Sequence, residues 1–198
     1  MFWDKISGLY DLFENVYNGK VYKGTGTAVT GYITETDDVL ECACGTGAIS
    51  LPMAEKCHKL IATDFSKEML KQAQKKCASL SNITFEEADI TQLRFEDESF
   101  DKVVAGNVIH LLPNPQQAVK ELERVTKKGG KIIIPTYINA TKNSGKLAVK
   151  FIEMLGAKFD RQFDLESYKM FFENLGYSNI EYQVVDGKMP CAIAVIEK

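Results

Sequence analysis

The chain has 198 residues, the size of one domain of roughly 150 with appended elements, so a second independent catalytic domain is not expected. With 45% hydrophobic residues, among them 11 Phe, 8 Tyr and 1 Trp, it can bury a core without staples, which excludes the disordered and disulfide-scaffold classes. The 24 Lys and Arg against 27 Asp and Glu leave a net charge of −3, too little positive charge to neutralise a run of phosphates, so no nucleic-acid partner is expected.

At the amino end, Asp4, Asp11 and Glu14 stand where a secretory leader needs an apolar run, and no stretch reaches the roughly 18 to 20 apolar residues that span a bilayer. We expect a cytoplasmic protein without a transmembrane segment. The first 25 residues read as a helix with Phe2, Ile6, Leu9 and Phe13 on one face, either packed on the domain or lying over a ligand as a lid. The five cysteines (Cys42, Cys44, Cys57, Cys77 and Cys191) are odd in number and lack zinc spacing, so reduced thiols and no metal are expected.

Short Val- and Ile-rich runs then alternate with helix-length segments. The strand candidates are Val39–Cys42, Lys59–Thr63, Ile83–Glu86, Lys102–Ala105, Lys131–Pro135, Ile180–Asp186 and Ala192–Glu197. Ser66 can cap a helix through Ser79, with Met69, Leu70, Ala73 and Cys77 on one face. Asn114 and Pro115 open another, with Ala118, Val119, Leu122 and Val125 toward a sheet and Gly129 and Gly130 ending it. Asp164 caps a third, reaching Leu175 and stopped by Gly176, before two strands that flank the turn signal Asp186-Gly187. Helical crossovers require parallel strands, so the pattern predicts an α/β, Rossmann-like, seven-stranded, mostly parallel sheet closed by an antiparallel carboxyl-terminal hairpin, with helices on both faces.

The most informative segment is Val39-Leu40-Glu41-Cys42-Ala43-Cys44-Gly45-Thr46-Gly47-Ala48, which joins an apolar strand to a helix. Its glycines let a ligand approach the backbone closely. Asp64, 19 residues after Gly45, ends the second strand, where open α/β folds place an acid against ribose hydroxyls. Glu41 argues against a dinucleotide, because a carboxylate at the base of the turn repels a pyrophosphate and favours a cationic ligand. The third glycine of the dinucleotide fingerprint is also replaced, by Ser50.

Glu41-x-x-Cys44-Gly45-Thr46-Gly47, then Asp64-Phe65-Ser66-x-x-Met69, Ala88-Asp89-Ile90, Phe95 to Asp101, and Leu112-Pro113-Asn114-Pro115 through Lys128-Gly129-Gly130-Lys131 resemble the class I S-adenosylmethionine-dependent methyltransferases. Within them the chain is similar to the small-molecule group that includes the ubiquinone/menaquinone C-methyltransferases. Ala43 departs from the pattern, standing where the family usually has its first glycine, and fits there if its φ is negative. Lys128 departs too, where proline often precedes the glycine pair.

The resemblance implies that Glu41 and the Cys44, Gly45, Thr46 and Gly47 backbone hold the methionine part of S-adenosylmethionine and that Asp64 takes the ribose hydroxyls. It places Phe65 and Met69 along the adenine, Asp89 and Ile90 at the adenine edge, and Asn107 near the methionyl end. It divides the single domain (1–198) into a lead-in or lid (1–30), a cofactor-binding core (37–136), an acceptor-covering segment (137–163) and a closing helix and hairpin (164–198).

Methyl transfer needs alignment of donor and acceptor, and a general base only if the acceptor must first lose a proton. His110, after the fourth strand, and Tyr22, beside Tyr10 and Tyr17 in the segment that caps the cofactor in relatives, are the candidate catalytic residues. His58 is expected at the surface. Tyr137, Phe151, Phe159 and Phe163 suggest an apolar or aromatic small acceptor. The expected function is methyl transfer from S-adenosylmethionine to a small molecule, by a monomer or homodimer. The alternatives are a nicotinamide-dependent oxidoreductase and a non-catalytic S-adenosylmethionine-binding protein.

Overall fold

The computed structural model describes residues 2–139 and 161–198; of the first 17 residues, only Asp4 and Ser7 have described side chains. Phe151 and Phe159 lie outside the described residues, as do the side chains of Phe2, Ile6, Leu9, Tyr10, Phe13 and Tyr17.

Seven strands form one sheet: β1 (Asp38–Cys42), β2 (Lys59–Asp64), β3 (Ile83–Glu87), β4 (Phe100–Ala105), β5 (Thr126–Tyr137), β6 (Ile180–Val185) and β7 (Cys191–Glu197). Their order is β3-β2-β1-β4-β5-β7-β6. The first five are parallel, and β7 runs antiparallel to both β5 and β6. The chain leaves β1 toward β2 and β3, then returns to β4 on the other side of β1, so the carboxyl ends of β1 and β4 flank a topological switch point, where open α/β sheets bind ligands.

Among the described residues, five α-helices pack against the sheet: α1 (Phe2–Thr30), α2 (Ser50–Ala54), α3 (Lys67–Lys76), α4 (Pro115–Val125) and α5 (Leu165–Glu173). Strand alternation divides the core. Leu40, Cys42, Val103, Ile132 and Ile134 face α4 and α5, whereas Val39, Val104 and Ile133 face α1, α2 and α3. Glu41, two residues on from Val39, shares its face and so points into the side where the glycine loop lies.

The predicted caps form. Ser66 Oγ accepts the Met69 N–H at 3.2 Å, Asn114 Oδ1 accepts that of Gln117 at 3.3 Å with Pro115 at the first helical position, and Asp164 caps α5 through a reciprocal box with Ser167. Gly176 takes the left-handed conformation (φ 92°) just beyond α5.

Some boundaries depart from expectation. α3 ends at Lys76, short of Ser79, and α4 stops at Val125, so Gly129 and Gly130 do not end it. Both glycines lie inside β5, because its pairing with β4 shifts register between Phe100 and Lys102. A Cβ on Gly130 would fall 2.8 Å from the Asp101 and Lys127 carbonyls. The helix after the glycine loop begins only at Ser50, the preceding turns carry Gly45 and Gly47, and Pro52 falls in its first turn, where no N–H is needed. The Asp186-Gly187 signal opens a loop over 186–190, wider than a two-residue turn. A Cβ on Gly187 would lie 2.2 Å from Val21 Cγ2, so this loop is pressed against α1.

α1 is broken at Asn18, whose backbone is non-helical (φ −134°, ψ 28°). The buried Asn18 amide donates to the Met189 carbonyl at 2.9 Å and accepts the Met189 N–H at 3.3 Å. The hairpin loop is thereby fastened to the point where the amino-terminal helix bends.

Candidate functional site

Above the carboxyl ends of the parallel strands lies a cavity of about 530 Å³, within the usual range for small-molecule sites. Its wall includes Glu41, Ala43 and Cys44–Thr46 after β1, Asp64–Ser66 after β2, Ala88–Thr91 after β3, Gly106–Val108 after β4 and Tyr137 at the end of β5. Leu111, Leu112 and Pro113 follow from the segment beyond β4, and Tyr22 and Thr25 from α1.

Glu41 is fully buried, and Ser50 Oγ donates to its Oε2 at 2.5 Å. Burial pushes the Glu41 carboxyl up to about 8, with the Asp64 charge adding to the rise and Ser50 opposing it. Ser50, the residue in place of a third glycine, is thus the partner that the sequence reading missed; its only signal was a hydroxyl where a dinucleotide site has none. An unliganded site at neutral pH holds Glu41 largely protonated, and a cation placed beside it draws the proton off.

Asp64 closes the glycine loop against β2: its Oδ2 accepts the Gly45 N–H and its Oδ1 the Ser66 N–H, each at 2.8 Å. Burial raises its pKa, and those N–H groups hold it down. The loop needs left-handed backbone at Gly45 (φ 54°) and Gly47 (φ 81°). It needs it at Ala43 too: the φ there is 57°, which corrects the expectation of a negative angle. The loop must reverse direction at that point whichever residue is present, so Ala43 carries strain that a glycine would not.

Of the expected cofactor residues, Glu41, Cys44, Gly45, Thr46, Asp64, Phe65, Met69, Asp89, Ile90 and Asn107 all line the cavity. Gly47 does not. A Cβ there would lie 3.1 Å from Ala73, so its role is to let the loop pack on α3. Phe65 is 56% exposed while Met69 is buried, and both line the cavity, an aromatic ring and an apolar side chain that suit a planar heterocycle. Asp89 Oδ1 accepts the Thr91 N–H at 2.8 Å and its hydroxyl at 2.7 Å. Burial raises the Cys44 thiol well above its usual value, so it is neutral. Asn107, at φ 53°, donates its N–H to the Pro135 carbonyl at 2.8 Å, which fixes the turn out of β4.

The two candidate catalytic residues separate. Tyr22 lines the cavity, and Lys76 Nζ reaches its hydroxyl at 3.5 Å. His110 sits in the one-turn 3₁₀ helix Ile109–Leu111, is 7% exposed and is not among the cavity-lining residues. Burial pushes its pKa down to about 4, leaving a neutral ring. Its neighbours Leu111 and Leu112 face the cavity instead. Tyr137 lines the cavity, but Phe163 packs into the core against Tyr168 and Phe171. His58 is exposed, with Nδ1 2.8 Å from Asp38 Oδ1. Among the described residues no cluster of metal-ligating side chains occurs and no helix is long and apolar enough to cross a membrane.

Residues 40–134 match the family described as methyltransferase domain. The ubiquinone/menaquinone biosynthesis C-methyltransferase UbiE of Bdellovibrio bacteriovorus is 35% identical over 137 residues, covering 67% of this chain and 58% of that protein. A phosphatidylethanolamine N-methyltransferase of Cereibacter sphaeroides is 35% identical over 125 residues, 62% of this chain and 59% of that protein. The chain therefore spans a little under three fifths of the length of these two relatives. An S-adenosylmethionine-dependent methyltransferase of Thermotoga maritima shares the fold over 100% of this chain and 99% of its own, with a TM-score of 0.78 at 20% identity. The acid pair Glu41 and Asp64, the left-handed glycine loop and the exposed Phe65 fit a cationic nucleoside, and nothing in these comparisons supports a nicotinamide site. The residues that build the cavity fall largely within the matched segment, and the chain belongs to the class I S-adenosylmethionine-dependent methyltransferases, with S-adenosylmethionine as its cofactor.

Proposed function

We propose that this chain transfers a methyl group from S-adenosylmethionine to a small, apolar or aromatic acceptor. The observation that carries this reading is that one cavity is lined both by the glycine loop and the end of β2 and by the apolar or aromatic side chains Val108, Leu111, Leu112, Tyr137 and Tyr22. When bound, S-adenosylmethionine supplies an electrophilic methyl group on a sulfonium. Glu41 neutralises the ammonium of its methionyl end, Asp64 takes the ribose hydroxyls, and Phe65 and Met69 bracket the adenine.

Asn107, its N–H held by the Pro135 carbonyl, lines the cavity after β4 and meets the methionyl end of the cofactor. Tyr22 offers the acceptor a phenolic hydroxyl, tied to Lys76, that orients it or takes its proton. His110 acts from behind the wall: its neutral ring supports the turn that presents Leu111 and Leu112. The first half of α1 serves as a lid, because Asp4 Oδ1 accepts the Ser66 hydroxyl at 2.6 Å beside the mouth of the cavity.

The relatives include a ubiquinone/menaquinone biosynthesis C-methyltransferase and a phosphatidylethanolamine N-methyltransferase, so the decisive test is an acceptor panel. Labelled methyl transfer from S-adenosylmethionine is measured with a demethylated naphthoquinol, a simple catechol, an aliphatic amine and phosphatidylethanolamine vesicles. Turnover of an aromatic acceptor, lost in Tyr22→Phe if the phenol moves a proton, supports the reading. Turnover confined to the vesicles or the amine overturns the acceptor class.

A further inference from the structure

Thr25 lines the cavity from α1 and is 2% exposed, yet its hydroxyl is buried with no hydrogen-bond partner among the described residues. Its neighbours on the same helix behave differently. Thr27 Oγ1 donates to the Lys23 carbonyl at 3.2 Å, and Thr30 Oγ1 to that of Gly26 at 2.6 Å, the usual way a helical threonine satisfies itself. A buried hydroxyl left unmatched by the protein is costly, and Thr25 borders a cavity from which a partner can come.

The position of Thr25 indicates which ligand group meets it. At the next residue, a Cβ on Gly26 would lie 3.7 Å from the Ala48 carbonyl and 3.5 Å from Pro52. This turn of α1 therefore covers the loop between Gly47 and α2, above the Ser50–Glu41 pair. That is the methionyl end of the cofactor, which carries both an ammonium and a carboxylate. Glu41 answers the ammonium. For the carboxylate, the described residues that line the cavity include no Lys or Arg, and the donors they offer are neutral.

We infer that the Thr25 hydroxyl donates a hydrogen bond to the carboxylate of the cofactor's methionyl end, which makes Thr25 a positioning residue for the methyl donor. This rests on the placement of the cofactor given above. The bond ties α1 to the ligand, so a cofactor lacking its carboxylate loses this contact with the covering helix.

Calorimetry with S-adenosylhomocysteine and its decarboxylated analogue, on the wild-type chain, Thr25→Val and Thr25→Ser, tests this. Thr25→Val keeps the shape and removes only the hydroxyl. It should weaken S-adenosylhomocysteine about tenfold, leave the decarboxylated analogue unchanged, and keep or raise the melting temperature of the unliganded protein. Thr25→Ser should restore the affinity. An equal loss on both ligands would assign the hydroxyl to the ammonium or to the helix and overturn the proposal, as would unchanged S-adenosylhomocysteine binding or no rescue by serine. Failure of the wild-type chain to bind S-adenosylhomocysteine would overturn the cofactor placement itself, and the Thr25 proposal with it.

Discussion

Burial gives Glu41 a proton that the same residue on a surface would have lost. Its folded value near 8 lies above its ordinary 4.5, so the folded protein binds the proton more tightly than the unfolded chain does. Stability of the unliganded protein should therefore fall as pH rises from about 4.5 to 8, by up to about 1.4 kcal/mol per pH unit. In Glu41→Gln, which keeps an acceptor for Ser50, that slope should flatten in urea titrations at several pH values. Binding shows the opposite sign, because the cofactor's ammonium favours the ionised form: wild-type affinity for S-adenosylhomocysteine should climb up to about tenfold per pH unit between 6 and 8, and that of Glu41→Gln should not. Ala43 is the other residue whose cost is visible. Replacing it with glycine at φ 57° removes left-handed strain of roughly 1–2 kcal/mol and returns part of it as backbone entropy. A rise in melting temperature of a few degrees is expected for Ala43→Gly, checked by calorimetric melting. The glycine loop and Asp64 were readable from spacing because the turn chemistry is local, whereas the Ser50–Glu41 bond and the sign of φ at Ala43 depend on how the loop folds back.

The amino-terminal helix and the carboxyl-terminal hairpin work as one unit, although 171 positions separate Asn18 from Met189. Asn18 breaks α1 and spends its amide on the backbone of the 186–190 loop, and Gly187 lets that loop touch Val21. Asn18→Ala leaves the Met189 N–H and carbonyl without these partners, at a cost of roughly 2 kcal/mol. A melting temperature lower by about 4–8 °C is expected for a domain of this size, together with weaker S-adenosylhomocysteine binding, because the hairpin no longer holds α1 at its bend. The helix caps at Ser66, Asn114 and Asp164 were legible in advance, since a capping side chain acts within three residues of its target. The end of α4 was not. Gly129 and Gly130 look like a helix stop in sequence, and only pairing of Thr126 with Phe100 and of Lys131 with Lys102 draws that stretch into β5.

Across the fold, five parallel strands bring the ends of β1 to β5 to one rim, so residues from six separated stretches share a single cavity. A ligand that bridges them must stabilise the fold: at a hundredfold excess over its dissociation constant, S-adenosylhomocysteine should add about 2.7 kcal/mol and raise the melting temperature by roughly 5–10 °C. NADH in the same thermal-shift plate should leave it unmoved, since Glu41 and Ser50 occupy the base of the turn where a pyrophosphate would sit. A shift with the dinucleotide and none with S-adenosylhomocysteine would contradict the family's cofactor at this site.

The α/β class, the parallel core, the antiparallel closing hairpin and many of the residues that line the cavity were contained in the order of residues, because hydrophobic period, caps and the glycine–acid spacing are local or nearly so. Which side chains reach the cavity was a tertiary matter. His110 and Leu111 are adjacent in the chain, yet the 3₁₀ turn buries the histidine and leaves the leucine at the wall. Tyr137 and Phe163 read alike as aromatic acceptor residues, but only Tyr137 ends a strand at the rim. Thr25 carried no signal at all, since an unmatched hydroxyl exists only once α1 has been laid over the glycine loop and every other partner has been removed by burial.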